Sequence, residues 1–275
     1  MNCSHRPEPE PVPVVSRSIL RWKDSHWAEE QDQLAVELPV ALEFNGISHA
    51  VMLATPDELE SFALGFSLSE GIVDRRQDFR GAEIEASEAG ITVKCEISAP
   101  AFMRMKERRR NLAGRTGCGL CGVESLGQVL RPLPFVDHGA FISVPAIHAA
   151  LQALSGMQPL SSLTGGMHGA AWSDTQGLLQ DLCEDVGRHN ALDKLIGKRA
   201  GKGLGFDNGF LLITSRASVE MVQKALTVGI SCMVAISAPT SLAVKIAEAS
   251  GMTLIAFARG RDFVAYAHAG RIREA

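Results

Sequence analysis

Between residues 178 and 257 the sequence alternates short apolar runs with amphipathic stretches, and this alternation constrains the fold more than any other feature. Runs at 178–186, 210–214, 232–237 and 253–257 carry the apolar density of buried strands. Helical spacing fills the gaps, with Leu192, Leu195 and Ile196 on one face of 187–202, then helices over about 218–228 and 241–249. Strand–helix–strand units of this length imply right-handed crossovers and a sheet with parallel strands covered by helices. With a further helix predicted over 144–157, the second half of the chain is expected to form an α/β layered domain.

The first half has a different grain. Two apolar runs within 34–54 are split by Asn45-Gly46, a dipeptide that favours a type I′ hairpin because both residues tolerate positive φ. Thr55-Pro56-Asp57-Glu58 has the pattern of an N-cap, a proline at N1 and a capping-box acid. Leu59, Phe62, Ala63 and Phe66 follow at helical spacing, with a stop near Gly71. Alternation over 82–98, broken at Glu88-Ala89-Gly90, predicts a second hairpin. A basic helix is predicted over 101–112, carrying Arg104, Lys106, Arg108, Arg109 and Arg110. Its commonest role is a solvated face, and its place before a glycine-rich loop also suits docking to an anionic cofactor or acidic partner. The expected organisation is a flexible Pro/Glu tail over 1–16, an α+β domain over 17–112, a mobile loop and linker over 113–135, and an α/β domain over 136–275.

Composition narrows the function classes. Lys and Arg number 27 against 31 Asp and Glu, a formal charge of −4, which argues against holding nucleic acid by charge. With 11 Phe, 3 Trp and 1 Tyr in 275 residues, a base-stacking platform is also unexpected. No stretch meets the twenty-residue apolar requirement of a membrane helix, and the Glu/Pro start lacks a signal-peptide core. The expectation is a cytoplasmic protein with neither nucleic-acid nor membrane partners, in which cysteines are catalytic or ligating rather than bridged.

Six cysteines occur, at 3, 95, 118, 121, 183 and 232, and the sharpest local pattern is Gly117-Cys118-Gly119-Leu120-Cys121-Gly122. A structural zinc site would need a second pair at ligand spacing, and none exists. A thioredoxin-like dithiol would open a helix, which the glycines oppose. Two incidental loop cysteines are a third reading. The fourth is a mobile loop presenting a nucleophilic thiolate, with exposed amides and Arg115 lowering the thiol pKa. That arrangement suits a carrier of a transferable group.

This loop resembles the FdhD family, the formate dehydrogenase accessory sulfurtransferases. So do Thr164-Gly165-Gly166-Met167-His168, the run Glu184-Asp185-Val186-Gly187-Arg188-His189-Asn190-Ala191-Leu192-Asp193-Lys194, Ser237-Ala238-Pro239-Thr240-Ser241-Leu242-Ala243 and Phe257-Ala258-Arg259-Gly260, in the same order and over more than half the chain. The resemblance implies a sulfurtransferase that takes sulfur from a cysteine desulfurase as a persulfide. It passes the sulfur to the molybdenum cofactor, bis(molybdopterin guanine dinucleotide), for the formate dehydrogenase catalytic subunit. Cys118 would bear the persulfide, with Cys121 as a second thiol that relays sulfur or assists release. The resemblance further implies a homodimer, no permanently bound metal, and a second domain similar in fold to cytidine deaminases.

The nucleotide-facing segment implied by the resemblance is Phe257, Ala258, Arg259, Gly260, Arg261 and Asp262. It begins at the carboxyl end of a predicted strand, where open α/β sheets bind ligands. Gly260 admits close backbone approach, Arg259 or Arg261 suits bidentate phosphate contact, and Asp262 suits a guanine edge. Without the resemblance, Arg-Gly-Arg-Asp reads as a charged surface turn between strands. The run from Glu184 reads as a helix N-terminus with acids in favourable register and a satisfied histidine. Two stretches depart from the family pattern: Thr214-Ser215-Arg216-Ala217-Ser218 lacks the usual glycine, and Met167-His168-Gly169 varies on Leu-His-Ala.

Three rivals are distinguishable. A zinc deaminase needs a Glu two residues after its ligand His and a Pro before its C-x-x-C. His168-Gly169-Ala170 and the loop before the domain supply neither. A non-catalytic cofactor-binding chaperone would dispense with both cysteines. A dithiol oxidoreductase would cycle with a thioredoxin-like reductant and need no desulfurase.

Overall fold

The structure, a computed structural model, describes residues 12–110, 133–136 and 139–275. The first element is a hairpin of β1 (Val14–Lys23) and β2 (His26–Ala35), closed by Asp24 and Ser25 at φ of 50° and 65°. Hardly any of its side chains are buried. Cross-strand pairs hold it instead, including Trp22 edge-on to Trp27 at 5.3 Å and Arg21 Nε to Glu30 Oε2 at 2.7 Å. The tail expected over 1–16 therefore stops short of Val14, because 14–16 pair with 33–35.

A four-stranded sheet follows, in the order β4-β3-β6-β5: β3 (Leu38–Phe44), β4 (Ile47–Ala54), β5 (Phe79–Ser87) and β6 (Gly90–Ile97). The β3–β4 turn is Asn45-Gly46 with φ of 46° and 81°, the I′ geometry these residues favour. Helix α1 (Leu59–Ser69) crosses from β4 to β5, and α2 (Ala99–Arg110) follows β6. Phe62, Phe66 and Met105 close a core with Val40, Leu42, Phe44 and Val93. The predicted cap at Thr55 is not formed. Helix α1 begins at Leu59, and its N-cap position is Glu58 in the left-handed region, with no side-chain cap. Thr55 has been drawn into tertiary contacts described below.

The second unit has a six-stranded sheet in the order β13-β12-β11-β10-β8-β9, built from β8 (His168–Asp174), β9 (Leu179–Asp185), β10 (Gly209–Ile213), β11 (Cys232–Ala235), β12 (Thr253–Arg259) and β13 (Asp262–Ala267). The β10–β11–β12 pairs are parallel, as the alternation predicts, and the others are antiparallel. Two-residue strands β7 (Ile142–Ser143) and β14 (Ile272–Arg273) form a separate parallel pair. Period-two alternation sends Leu211, Ile213, Met233 and Leu254 to one face, under α5 (Arg188–Gly201), α6 (Val219–Thr227) and α7 (Ser241–Ser250). Phe210, Leu212, Val234 and Ile255 go to the other, under α3 (Val144–Gly156). A short helix, α4 (Pro159–Thr164), precedes β8.

The two units share a helix crossing. A Cβ on Gly65 of α1 would run into the carbonyl oxygen of Asp193, and one on Gly197 of α5 into that of Ser61. Both positions must be glycine for the helices to lie backbone against backbone.

Candidate functional site

Strand β9 is antiparallel to β8, and β8 to β10, so β9 runs with the three parallel strands. One rim of the sheet therefore collects the carboxyl ends of β9, β10, β11 and β12 and the start of β8. This is where ligands bind in open α/β sheets. The loops along it form a hydrogen-bonded chain. Thr214 N donates to Gly169 O at 3.0 Å and Ile236 N to Ile213 O at 2.9 Å. Ala217 N donates to Ala238 O at 3.1 Å, Thr240 N to Ala217 O at 3.0 Å and Phe257 N to Ser237 O at 3.1 Å.

The segment 257–262 lies at one end of this rim. Phe257 interrupts the β12–β13 register at φ 51°, an outlier for a bulky residue, and its ring is 45% exposed beside Tyr266. Ala258 is buried, and Arg259 Nε donates to Ile236 O at 3.2 Å. Gly260 and Arg261 form the turn between β12 and β13, and Asp262 pairs with Arg259 across it. The charged-turn reading and the rim location are thus both correct descriptions of one segment. Arg261 O accepts from His148 Nε2 at 3.0 Å, which ties the turn to α3.

At the other end stand residues for which sequence reasoning gave no role. Arg188 and His189 are the first two residues of α5, and His168 begins β8. Burial, helped by Arg188, lowers the His168 pKa against the opposing pull of Asp185. Burial also brings His189 down to about 4, with Arg188 and Lys224 acting in the same direction and Glu220 and Glu70 against it. Its imidazole is therefore neutral near pH 7. Contrary to the expected satisfied histidine, His189 Nε2 and Arg188 Nε are buried with no hydrogen-bond partner among the described residues. Four strand spacings, roughly 19 Å, separate β9 from β12, so the two ends suit an extended ligand rather than a compact one.

Cys118 and Cys121 lie outside the described residues, as does most of the expected loop 113–135. Cys95, Cys183 and Cys232 are free and buried, and burial pushes all three thiols up, Cys95 and Cys232 to about 12. Such thiols are poor nucleophiles. On the basic helix α2, Arg104 pairs with Asp74 at 2.8 Å, Arg108 donates to Gly71 O at 2.7 Å, and Lys106 lies over Phe102. Those three cations brace the fold. Among the described residues, no three His, Cys, Asp or Glu side chains are grouped to hold a metal, and no helix is long and apolar enough to cross a membrane.

A model of the FdhD/NarQ family matches residues 35–273. The chain belongs to that family. A relative from Bordetella petrii, named sulfur carrier protein FdhD, is 47% identical over 275 residues, covering 99% of each chain. One of the same name from Variovorax paradoxus is 51% identical, over 89% of this chain and 88% of its own. Among solved structures, a chain from Desulfotalea psychrophila described as a candidate formate dehydrogenase accessory protein superposes with a TM-score of 0.73. It is 23% identical, and the match covers 94% of this chain and 99% of that one. That likeness establishes a shared fold. The FdhD/NarQ match spans both units, so the rim and the helix crossing lie within the family region.

Proposed function

We propose that this chain is a sulfurtransferase, a persulfide carrier acting in the cytoplasm to bring formate dehydrogenase to activity. The Cys118 thiolate attacks the outer sulfur of a persulfide on a cysteine desulfurase. The donor's sulfur–sulfur bond breaks, the desulfurase cysteine leaves as a thiolate, and the outer sulfur stays on Cys118 as a new persulfide. The acceptor is the molybdenum cofactor, bis(molybdopterin guanine dinucleotide), cargo rather than a resident group. Attack of a second thiolate on the Cys118 sulfur breaks the persulfide bond, the outer sulfur leaves as sulfide, and the disulfide formed is reopened by a thiol reductant. The catalytic subunit of formate dehydrogenase takes the cofactor afterwards. Cys121 is the second thiol, relaying sulfur or assisting its release.

The reading rests on the shared name, sulfur carrier protein, of relatives that match this chain at 47% and 51% identity over most of its length. Two features are in keeping with it. The described cysteines are buried thiols unsuited to exchange, which leaves Cys3, Cys118 and Cys121, and of these only the last two form a glycine-rich pair. The rim from Arg188 to Asp262 suits an elongated dinucleotide, with Arg259 and Arg261 as phosphate partners and Asp262 as a guanine acceptor. We take the working form to be a homodimer and the second unit to share the fold, not the chemistry, of cytidine deaminases.

The test is peptide mass spectrometry after incubation with a cysteine desulfurase and free cysteine, with controls lacking the desulfurase. A gain of one sulfur on the Cys118 peptide, reversed by reductant and absent from Cys118→Ala, is the expected result. If neither loop cysteine gains sulfur, the transfer step fails and a non-catalytic cofactor-binding chaperone takes its place.

A further inference from the structure

The run from Glu184 to Lys194 divides sharply by what its side chains touch. Glu184 accepts from Leu160 N at 2.9 Å and Ser161 N at 2.8 Å, capping α4. Asp185 is fully buried. Its Oδ1 accepts from Gly187 N at 2.8 Å and Asn190 Nδ2 at 2.9 Å, and its Oδ2 from Thr55 N at 3.0 Å and Lys194 Nζ at 2.7 Å. Thr55, also fully buried, binds this motif through all three of its polar groups. Besides its amide, Oγ1 accepts from Val186 N at 3.2 Å while donating to Met167 Sδ, and its carbonyl accepts from Lys194 Nζ at 3.0 Å as well as from Asp57 N. Asn190 reaches on to Leu53 O at 2.8 Å. Asp193 pairs with Lys224 at 2.9 Å and accepts from Ser69 Oγ at 2.6 Å. Of the polar side chains in the run, only Arg188 and His189 present buried nitrogens without a partner among the described residues.

Those two are also the residues whose position depends most on the clasp. They form the first turn of α5, whose N-cap residue, Gly187, has no side chain to cap it. Asp185 does not cap the first-turn amides, but from two residues upstream it fixes the helix start by holding the Gly187 amide and the Asn190 side chain. A helix start whose N-cap residue is no longer held in place frays, and displacement of about 1 Å at a reacting centre is enough to lose much of a rate.

We infer that Asp185 is a positioning residue which, clamped by Thr55 and Lys194, keeps Arg188 directed beside His168 at the rim and His189 packed against α6 and the end of α1. Thr55 belongs to the first unit and Asp185 to the second, so the N-terminal domain becomes a structural part of the site. The inference rests on the sulfur-carrier reading only for its activity readout.

The experiment follows imidazole titration by NMR in the full-length protein and in Asp185→Asn and Thr55→Val. In the same samples it follows sulfur loading of Cys118 from the desulfurase and activation of formate dehydrogenase. The groups facing His189 are Arg188, Lys224 of α6, Glu220 of α6 and Glu70 at the end of α1; those facing His168 are Arg188 and Asp185. In Asp185→Asn, His168 titrates lower because the carboxylate that raises it is gone. His189 moves up from about 4 towards 6.5 as the first turn opens. Thr55→Val moves His189 the same way by less, and it decides the matter if Asp185→Asn does not fold. Sulfur loading is unchanged, while activation falls roughly tenfold or more. Leu154→Ala, in the α3 core on the opposite face, destabilises without touching the clasp and leaves both titrations in place. Titrations that stay put in folded clasp variants, or that Leu154→Ala moves equally, would overturn the inference. Absence of sulfur on wild-type Cys118 would overturn the carrier reading alone.

Discussion

At residue 189, burial and two nearby cations act in the same direction on one imidazole. The unfolded chain takes up this proton near pH 6.5, and the folded chain only near pH 4. Between those values the unfolded state binds more protons, so the contribution of neutral His189 is complete above about pH 6.5. It is lost progressively as the pH falls towards 4. Lowering the pH from about 7.5 to about 5 should cost roughly 2 kcal/mol through this residue. Urea unfolding of the wild type and His189→Gln at both pH values checks this, and equal slopes in the two proteins would count against it. None of this behaviour is visible in the sequence, where His189 is one polar residue in a helix-start pattern. Its burial depends on α1 and α6, which bring Glu70, Glu220 and Lys224 to it from distant parts of the chain.

Among elements, the crossing of α1 on α5 sets the tightest tolerance found at the described glycines. Gly65→Ala places a methyl group where the Asp193 carbonyl stands, so the helices must separate. Overpacking of this kind costs about 1–3 kcal/mol, and an obstacle made of backbone belongs at the upper end. Chemical denaturation should show a lower midpoint for Gly65→Ala and, by the reciprocal contact with Ser61, for Gly197→Ala, while Gly156→Ala, with open space around it, stays near the wild type. Elements with a local chemical cause were legible in advance: the Asn45-Gly46 turn, the run of parallel strands, and α5, α6 and α7. The β1–β2 hairpin was not, because cross-strand polar and aromatic pairs hold it and almost nothing in it is buried. Strand β8, His-Gly-Ala-Ala-Trp-Ser-Asp, has no β-branched residue to announce it. Thr55 was misread for the opposite reason. Its local pattern does fit a cap, but Asp185, 130 residues away, binds it more completely than a helix start would.

For the whole molecule, the two units have separate cores but a common structural joint. The buried Asp185–Lys194 and Asp193–Lys224 pairs flank the glycine crossing, and each has partners on α1 or the segment leading into it. Both pairs lie within the second unit, and removing the first would strip Asp185 and Asp193 of their Thr55 and Ser69 hydrogen bonds, a loss of about 1–3 kcal/mol for each buried carboxylate. The expected outcome is one cooperative unfolding transition with calorimetric and van't Hoff enthalpies in agreement; two resolved transitions would refute it. The sequence made the rim legible at its 257–262 end, where a glycine between arginines follows a strand. At the Arg188 end it showed only the motif, because the division between clasping and presented side chains exists only after the units have packed. The crossing also bears on how such a chain can vary over time. A cavity in a core can be refilled by a larger neighbour, and a lost ion pair can be replaced by a matched apolar pair. The atom that confronts position 65 is a main-chain oxygen, present whatever amino acid occupies position 193. No second-site change of side chain removes it, so suppressors of Gly65→Ala should be reversions or shifts of a whole helix.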